Sequence, residues 1–437
     1  MKQLLRAIGL LLILGLVATS IFAGGTKESA EMEGEDGPTT IIYYLWDDPT
    51  YARIVEAFNE SQDEIFVDAQ YIPAGDYEAK LTTLLSGGAE MDAFMQKRQA
   101  DRFPHYASGY IEPLEDLVAK HDYDFDMVSA YEDILKVDGR LLAIPFRGAS
   151  HYTYFNKRVF AEAGLPTPET YVEKGEWTWE KFEEVANDVA TGDGTVYGGL
   201  LYTWGSQHYF PAFQHGVEFV TAEGEIDMHQ SVIESLNMRK RLEESLAIYP
   251  LVELKVTKTH YSQAFYRGNL GMLIIGEWFP GMMISAREEG LLQGFTWDDW
   301  GVTRMPMPSD MDQYYGVGNP TFNHVHADSD KKDAAFKFIS WMGGPEGAEV
   351  VAKAGFLPPL MTEEVRASLA TALPDESSLK YFTETVPLRS TYQSPYGSRV
   401  EQFMARIAED YMQGEISSAN LQDEIIVGLT EIIETTN

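Results

Sequence analysis

The stretch GNLGMLIIGEWFPGMM at residues 268–283 ends a continuous apolar run on an acid and a ring, Glu277 and Trp278. A carboxylate and an indole are costly to leave at the end of a buried strand unless something meets them. The same pairing of planar polar groups with aromatics recurs elsewhere. LWDD at 45–48 supplies Trp46, Asp47 and Asp48, and RQADRFPHYASGYIEPL at 98–114 supplies Arg98, Asp101 and Arg102. Arg147 follows Pro145, and YTWGSQHYF at 202–210 supplies Trp204 and Gln207. STYQSPYGSRVEQF at 390–403 supplies Tyr392 and Tyr396. Tyr and Trp each offer a large apolar face with one polar handle, and planar carboxylate, amide and guanidinium groups exchange hydrogen bonds in a plane. Such a set can hold a small polar solute.

Other chemistries find less support. The chain has no cysteine, which removes disulfides, thiolate nucleophiles, cysteine-held zinc and attachment of lipid through an N-terminal Cys. Asp122, Asp124 and Asp126 have the spacing of a calcium loop, but Met127 and Asp133 stand where that loop needs Gly and Glu. His324 and His326 alternate as on a strand, with no third His or Cys nearby, so surface histidines are expected rather than a zinc or copper site. There is no GxSxG, HExxH or phosphate-cradling Gly-rich loop, and GDGTVYGG at 192–199 lacks the Lys-Ser/Thr that would follow one. No metal and no cofactor is expected. Acids are plentiful, so a pair of carboxylates for hydrolysis stays open as an alternative.

Composition narrows the partners. Asp+Glu number 68 and Lys+Arg 33, a formal net charge of −35, which disfavours nucleic acid and anionic membrane surfaces and favours a soluble monomer. Hydrophobic residues make up 44% of the 437, enough for two domains with real cores. Lys2 and Arg6 precede an apolar run from Ile8 to Val17, and Ala23 stands before Gly24 and Gly25. That pattern predicts a signal peptide over 1–23 and an exported, periplasmic protein, followed by a flexible acidic tether over 24–39. A retained membrane anchor is the alternative.

The elements that must position the candidate residues follow. TIIYYLW at 40–46 reads as a buried strand, 51–59 as a helix, 65–71 as a strand, 77–85 as a helix stopped by Gly87 and Gly88, and 91–95 as a strand. This β-α-β-α-β rhythm predicts a parallel sheet covered by helices. A helix over 177–190 has Thr178 as its N-cap, and further helices fall at 231–249, 330–344, 399–413 and 419–434. No internal repeat or flexible linker divides the mature chain, so two lobes must be joined by several crossings.

The order of these motifs resembles the extracellular solute-binding proteins of bacterial ABC importers, the sugar-binding family that includes maltodextrin-binding proteins. The resemblance is carried by LWDDPTYARIVEAFNE, YIEPLEDLV, VDGRLLAIPFRGASHYTYFNKRVFAEAGLPTP, WTWEKFEEVA, FYRGNLGMLIIGEW, WGVTRMP and DAAFKFISWMGGPEGAEVVAKAGFLPP. It implies an α/β, two-lobed periplasmic-binding-protein fold, each lobe a mainly parallel sheet flanked by helices, with three hinge crossings near 147–152, 300–304 and 340–346. The lobes so implied are 40–148 plus 303–342 and 149–302 plus 343–437. The implied function is capture of a sugar or oligosaccharide in the interlobe cleft, without catalysis, and delivery to the permease subunits of an ABC transporter. A secreted glycoside hydrolase, or a binder of a uronate, polyamine or peptide, remains the alternative. Convergence of Arg98, Arg102 and Arg147 would favour a uronate, and acidic cleft walls a cation.

Residue by residue, the resemblance places Trp278 at the sugar-stacking tryptophan, Trp46 at an aromatic that often serves the fold, and Asp101 with Arg102 at a pair that grips hydroxyls. This chain departs from the maltodextrin pattern where Arg98 replaces an aromatic before that pair, and where Ala149 stands in place of an acid after Pro145. Both departures argue for a different solute. Asp47 and Asp48 are candidates for hydroxyls or for capping the next helix. Arg147 would suit a hydroxyl-rich or carboxylated ligand. Glu277, Trp204, Gln207, Tyr392 and Tyr396 are candidates for the cleft, with solvation as the alternative for Glu277 and packing as the alternative for the other four.

Overall fold

The computed structural model describes residues 37–148 and 150–436. The expected signal peptide and almost all of the tether lie outside them, as does Ala149. Among the described residues no helix is long and apolar enough to cross a membrane.

Strands of four residues or more are numbered in chain order. The first sheet holds β1 (Thr39–Trp46), β2 (Ile65–Ile72), β3 (Ala93–Gln96), β4 (Ile144–Arg147) and β9 (Thr321–Val325), in the order β2-β1-β3-β9-β4. The second holds β5 (His151–Asn156), β6 (Tyr197–Leu201), β7 (Leu270–Gly276) and β8 (Trp300–Arg304), in the order β8-β5-β7-β6. The β1, β2 and β3 ladders are parallel, as the alternating pattern predicts. Both sheets are nevertheless mixed. β9 runs antiparallel to β3 and β4, and β5 runs antiparallel to β7 and β8. These two are the strands on which the chain arrives from the other sheet, so they enter from the shared edge rather than through a helical crossover, which is what a parallel partner requires.

The chain passes from the first sheet to the second between Arg147 and His151, and returns between Arg304 and Thr321. Residues 300–304, expected to form a crossing, are a full strand paired with 152–156, because Trp300 and Val302 fill the core on one face of the second sheet. Helix Lys332–Met342 then packs on the first core. Helix Pro345–Lys353 touches both sides: Val351 belongs to the first core, and Ala348 and Ala352 to a core of the second sheet.

The long apolar run of β7 has a simple cause. Met272 and Ile274 face one core while Leu273 and Ile275 face another, and all seven residues of the strand are buried. A strand covered on both faces has no use for polar alternation. Helix Trp179–Val189, capped by Thr178 through the Lys181 amide at 3.2 Å, lies close against β6. A Cβ on Gly198 would stand 1.9 Å from the Ala186 carbonyl oxygen. Backbone meets backbone there, so neither side can yield by rotating a side chain. Gly198→Ala should lower stability by about 2 kcal/mol or more, read from the urea midpoint, while an exposed-loop control such as Gly75→Ala should leave it nearly unchanged.

Candidate functional site

The two sheets present the same kind of edge to each other. β1, β3 and β4 end at Trp46, Gln96 and Arg147, and the next residues are Asp47 and Asp48 after β1 and Lys97 and Arg98 after β3. β6 and β7 end at Leu201 and Gly276, followed by Tyr202 and Trp204 and by Glu277 and Trp278. Carboxyl ends of parallel strands are where α/β folds collect ligands.

The two edges are joined by an ion pair. Arg147 Nε lies 3.1 Å from Glu277 Oε1, with side chains 9% and 1% exposed. Arg147 also donates to the Thr321 hydroxyl at 2.9 Å and the Tyr51 hydroxyl at 2.7 Å. Glu277 accepts from the Leu357 amide at 3.2 Å, and its own amide donates to the Ser150 carbonyl at 3.1 Å. Four rings surround the guanidinium: Trp278 and Phe356 at 5.0 Å, Trp46 at 5.7 Å and Tyr51 at 5.9 Å. Burial raises the Glu277 carboxyl from 4.5 to about 7, against the opposing pull of Arg147 and the Leu357 amide. Glu277, expected as a cleft ligand or a solvated acid, is thus the partner of an arginine 130 positions earlier in the chain.

Trp278 is half-buried and packs against the cores of both sheets. Its indole N–H donates to the Tyr261 hydroxyl at 2.8 Å, its ring is 5.7 Å from Trp204, and it meets His151 edge-on at 5.8 Å. Trp204, also half-buried, packs edge-on against Tyr202 at 5.3 Å and Tyr261 at 5.7 Å. The second sheet therefore offers an aromatic wall with two partly open indoles. Gly276 makes it possible by having no side chain: a Cβ there would lie 1.9 Å from the Trp278 ring. His151 stays neutral, pushed down to about 4 by burial, with Nδ1 held by the Val317 carbonyl.

Across the junction, Arg98 meets Glu401 at 3.2 Å, Ser398 at 3.0 Å and Asp101 at 3.5 Å, while Ser398 donates to Asp101 at 2.9 Å. Ser398 and Glu401 belong to helix Gly397–Gln413, which packs in the second lobe. Lys97 donates to the Ala74 carbonyl at 2.7 Å, lies 5.8 Å from the Trp46 ring and 3.8 Å from Glu78. At the rim, Arg53 and Glu288 pair at 3.1 Å.

Several expected ligand residues have other places. Arg102 is 1% exposed, between Phe103 and Phe322, and donates to the Ile134 carbonyl; burial holds it down at about 10. It points away from Asp101 because successive residues of a helical turn diverge by about 100°. Gln207 is buried, its side-chain carbonyl taking the Tyr202 amide at 2.7 Å. Tyr392 packs on Phe213 and Phe219 in the second lobe's core at φ 55°, and Tyr396 is buried in the same core. Asp48 caps helix Pro49–Ser61 by accepting from the Thr50 amide at 2.8 Å, which leaves Asp47 exposed at the strand end. Trp46 is 6% exposed, edge-on to Tyr51 and Tyr77. His324 is fully buried with Nδ1 on the Leu142 carbonyl, and among the described residues no three His, Cys, Asp or Glu are grouped to hold a metal. Tyr51, Tyr261, Lys97 and Glu401 were not expected at the junction. The aromatic and charged types are visible in the sequence, but nothing local marks them.

Residues 53–375 match the bacterial extracellular solute-binding proteins. The chain belongs to this family. It is 28% identical to a sugar transporter of Rhizobium etli solved in an open conformation, covering 91% of this chain and 99% of that one with a TM-score of 0.71. An ABC substrate-binding protein of Listeria monocytogenes in complex with cycloalternan shares the fold at 23% identity, 91% and 99% coverage and a TM-score of 0.75. The mannitol-binding protein of Pseudomonas aeruginosa is 29% identical over 150 residues, 34% of this chain and 33% of that one.

Gly276→Ala should expel the Trp278 ring from its seat while the strand stays paired, read as a red shift and increase in solvent quenching of tryptophan fluorescence. Glu277 gives a pH signature. Its carboxyl is about 7 in the fold against an ordinary 4.5, so the folded protein binds the proton more tightly. Its contribution to stability is full below about pH 4.5 and is lost as pH rises through about 7. The urea midpoint of the wild type should therefore fall relative to Glu277→Gln between about pH 5 and pH 8.

Proposed function

We propose that this protein is the periplasmic capture component of an ABC importer, taking a sugar or polyol into the cleft between its lobes and handing it, chemically unchanged, to membrane permease subunits. The observation that carries the reading is the wall of Trp204 and Trp278, partly open and set at the junction of two sheets, beside strand ends that carry carboxylates. Indole faces suit the C–H faces of a polyol, and Asp47, exposed at the end of β1, suits the hydroxyl rim. Two of the relatives are named for a cycloalternan and for mannitol, both polyhydroxylated and uncharged, while the matching Yersinia proteins are named for sn-glycerol 3-phosphate, a phosphorylated polyol. The lobes correspond to the two sheets, and the linking passages act as the hinge. A ligand touching both lobes binds the closed form better than the open one and shifts the population toward it. Export through residues 1–23, with cleavage near Ala23, and a monomeric state complete the proposal.

Thermal-shift measurement against a panel of sugars and polyols tests it. A ligand at a hundred times its Kd should stabilise by about 2.7 kcal/mol, seen as a clear rise in Tm. Trp278→Ala should abolish that rise while leaving a cooperative unfolding transition. A full rise in the variant removes the indole from the site, and the absence of any hit in the panel counts against capture of this ligand class.

A further inference from the structure

The cations at the junction are each matched by acids. Arg147 has Glu277 at 3.1 Å. Arg98 has Glu401 at 3.2 Å and Asp101 at 3.5 Å. Lys97 has Glu78 at 3.8 Å, and Arg53 at the rim has Glu288 at 3.1 Å. Arg102, the remaining arginine expected here, faces the Ile134 carbonyl inside the first lobe. Asp47 and Asp48 add two acids without a basic partner among the ion pairs of the described residues. The three arginines whose convergence would gather a carboxylate are thus either paired with acids or inside the first lobe.

We propose that the matched acids, Glu277 foremost and Glu401 second, determine specificity: they make the site select an uncharged polyhydroxy solute over its carboxylated or phosphorylated counterpart. This rests on the capture function proposed above. An anion seated against Trp278 would come close to Arg147, whose charge Glu277 already answers at contact distance. It would also lie within electrostatic reach of Asp48, whose charge acts on Arg147 and on the Tyr261 hydroxyl that holds the indole, and like charges brought together discriminate strongly between partners. A hydroxyl has no such difficulty, since it donates to a carboxylate and accepts from a guanidinium. Glu277→Gln keeps the shape and an acceptor for the Leu357 amide but leaves Arg147 uncompensated beneath the Trp278 ring. The site would then hold a positive charge in an aromatic surround, which attracts an anion.

The test is calorimetric titration at about pH 8, above the Glu277 value of about 7, with matched probes. The pairs are glucose with glucuronate, galactose with galacturonate, and mannitol with mannitol 1-phosphate, and spermidine is added as a cation. The wild type should bind the neutral member of a recognised pair at least about tenfold tighter, and Glu277→Gln should move that ratio about tenfold or more toward the anion. Glu401→Gln, at a more exposed pair, should move it the same way by a smaller factor, and it carries the test if Glu277→Gln does not fold. A purely structural role for these acids would weaken both members of a pair alike and leave the ratio fixed. An unchanged ratio in the variants that fold, a wild type that prefers the anion, or binding of spermidine alone overturns the proposal. If no probe binds the wild type, the capture reading itself fails and takes this inference with it.

Discussion

The structure turns on one buried contact, Arg147 against Glu277. It ties the last residue of β4 to the first residue after β7, and so fixes how the edge of one sheet meets the edge of the other. Taking both charges out of water costs about as much as their attraction returns, so the pair is weak as a source of stability. Its value is geometric. A guanidinium held by a carboxylate, two hydroxyls and four rings has very few alternative arrangements.

The aromatic wall depends on that anchor and on one missing side chain. Glu277 is pinned by Arg147 and by the Leu357 amide, which sets the direction of the residue that follows it. Gly276 leaves the space into which the Trp278 ring folds back, and Tyr261 holds the indole N–H. The ring therefore reaches the junction as a preorganised surface, with little freedom to lose on meeting a solute. Arg98, Ser398 and Glu401 link the lobes a second time, through polar groups that water can also satisfy, which makes that contact easier to break than the buried one.

Much of the fold was legible. The alternation of strand and helix over residues 40–95, the Thr178 cap and the long amphipathic helices follow from periodicity and capping chemistry, which are local. The antiparallel entry of β5 and β9 was not, because the direction of a strand is set by where the chain returns from, and no residue in the strand records it. The site divides in the same way. Trp278 and Arg147 stood out by type and position. Tyr392 and Gln207 did too, yet they are buried in the second lobe, since an aromatic or amide in a loop looks the same whether it lines a cleft or fills a core.

By itself the sequence determined the residue types available for holding a polar solute, the absence of thiol chemistry and the lobes' helices and strands, all properties of composition or of neighbours within a few positions. Tertiary structure decided which charges cancel. Arg147 and Glu277 are 130 positions apart and Arg98 and Glu401 are 303, and Coulomb attraction depends on distance through space, which the fold alone sets.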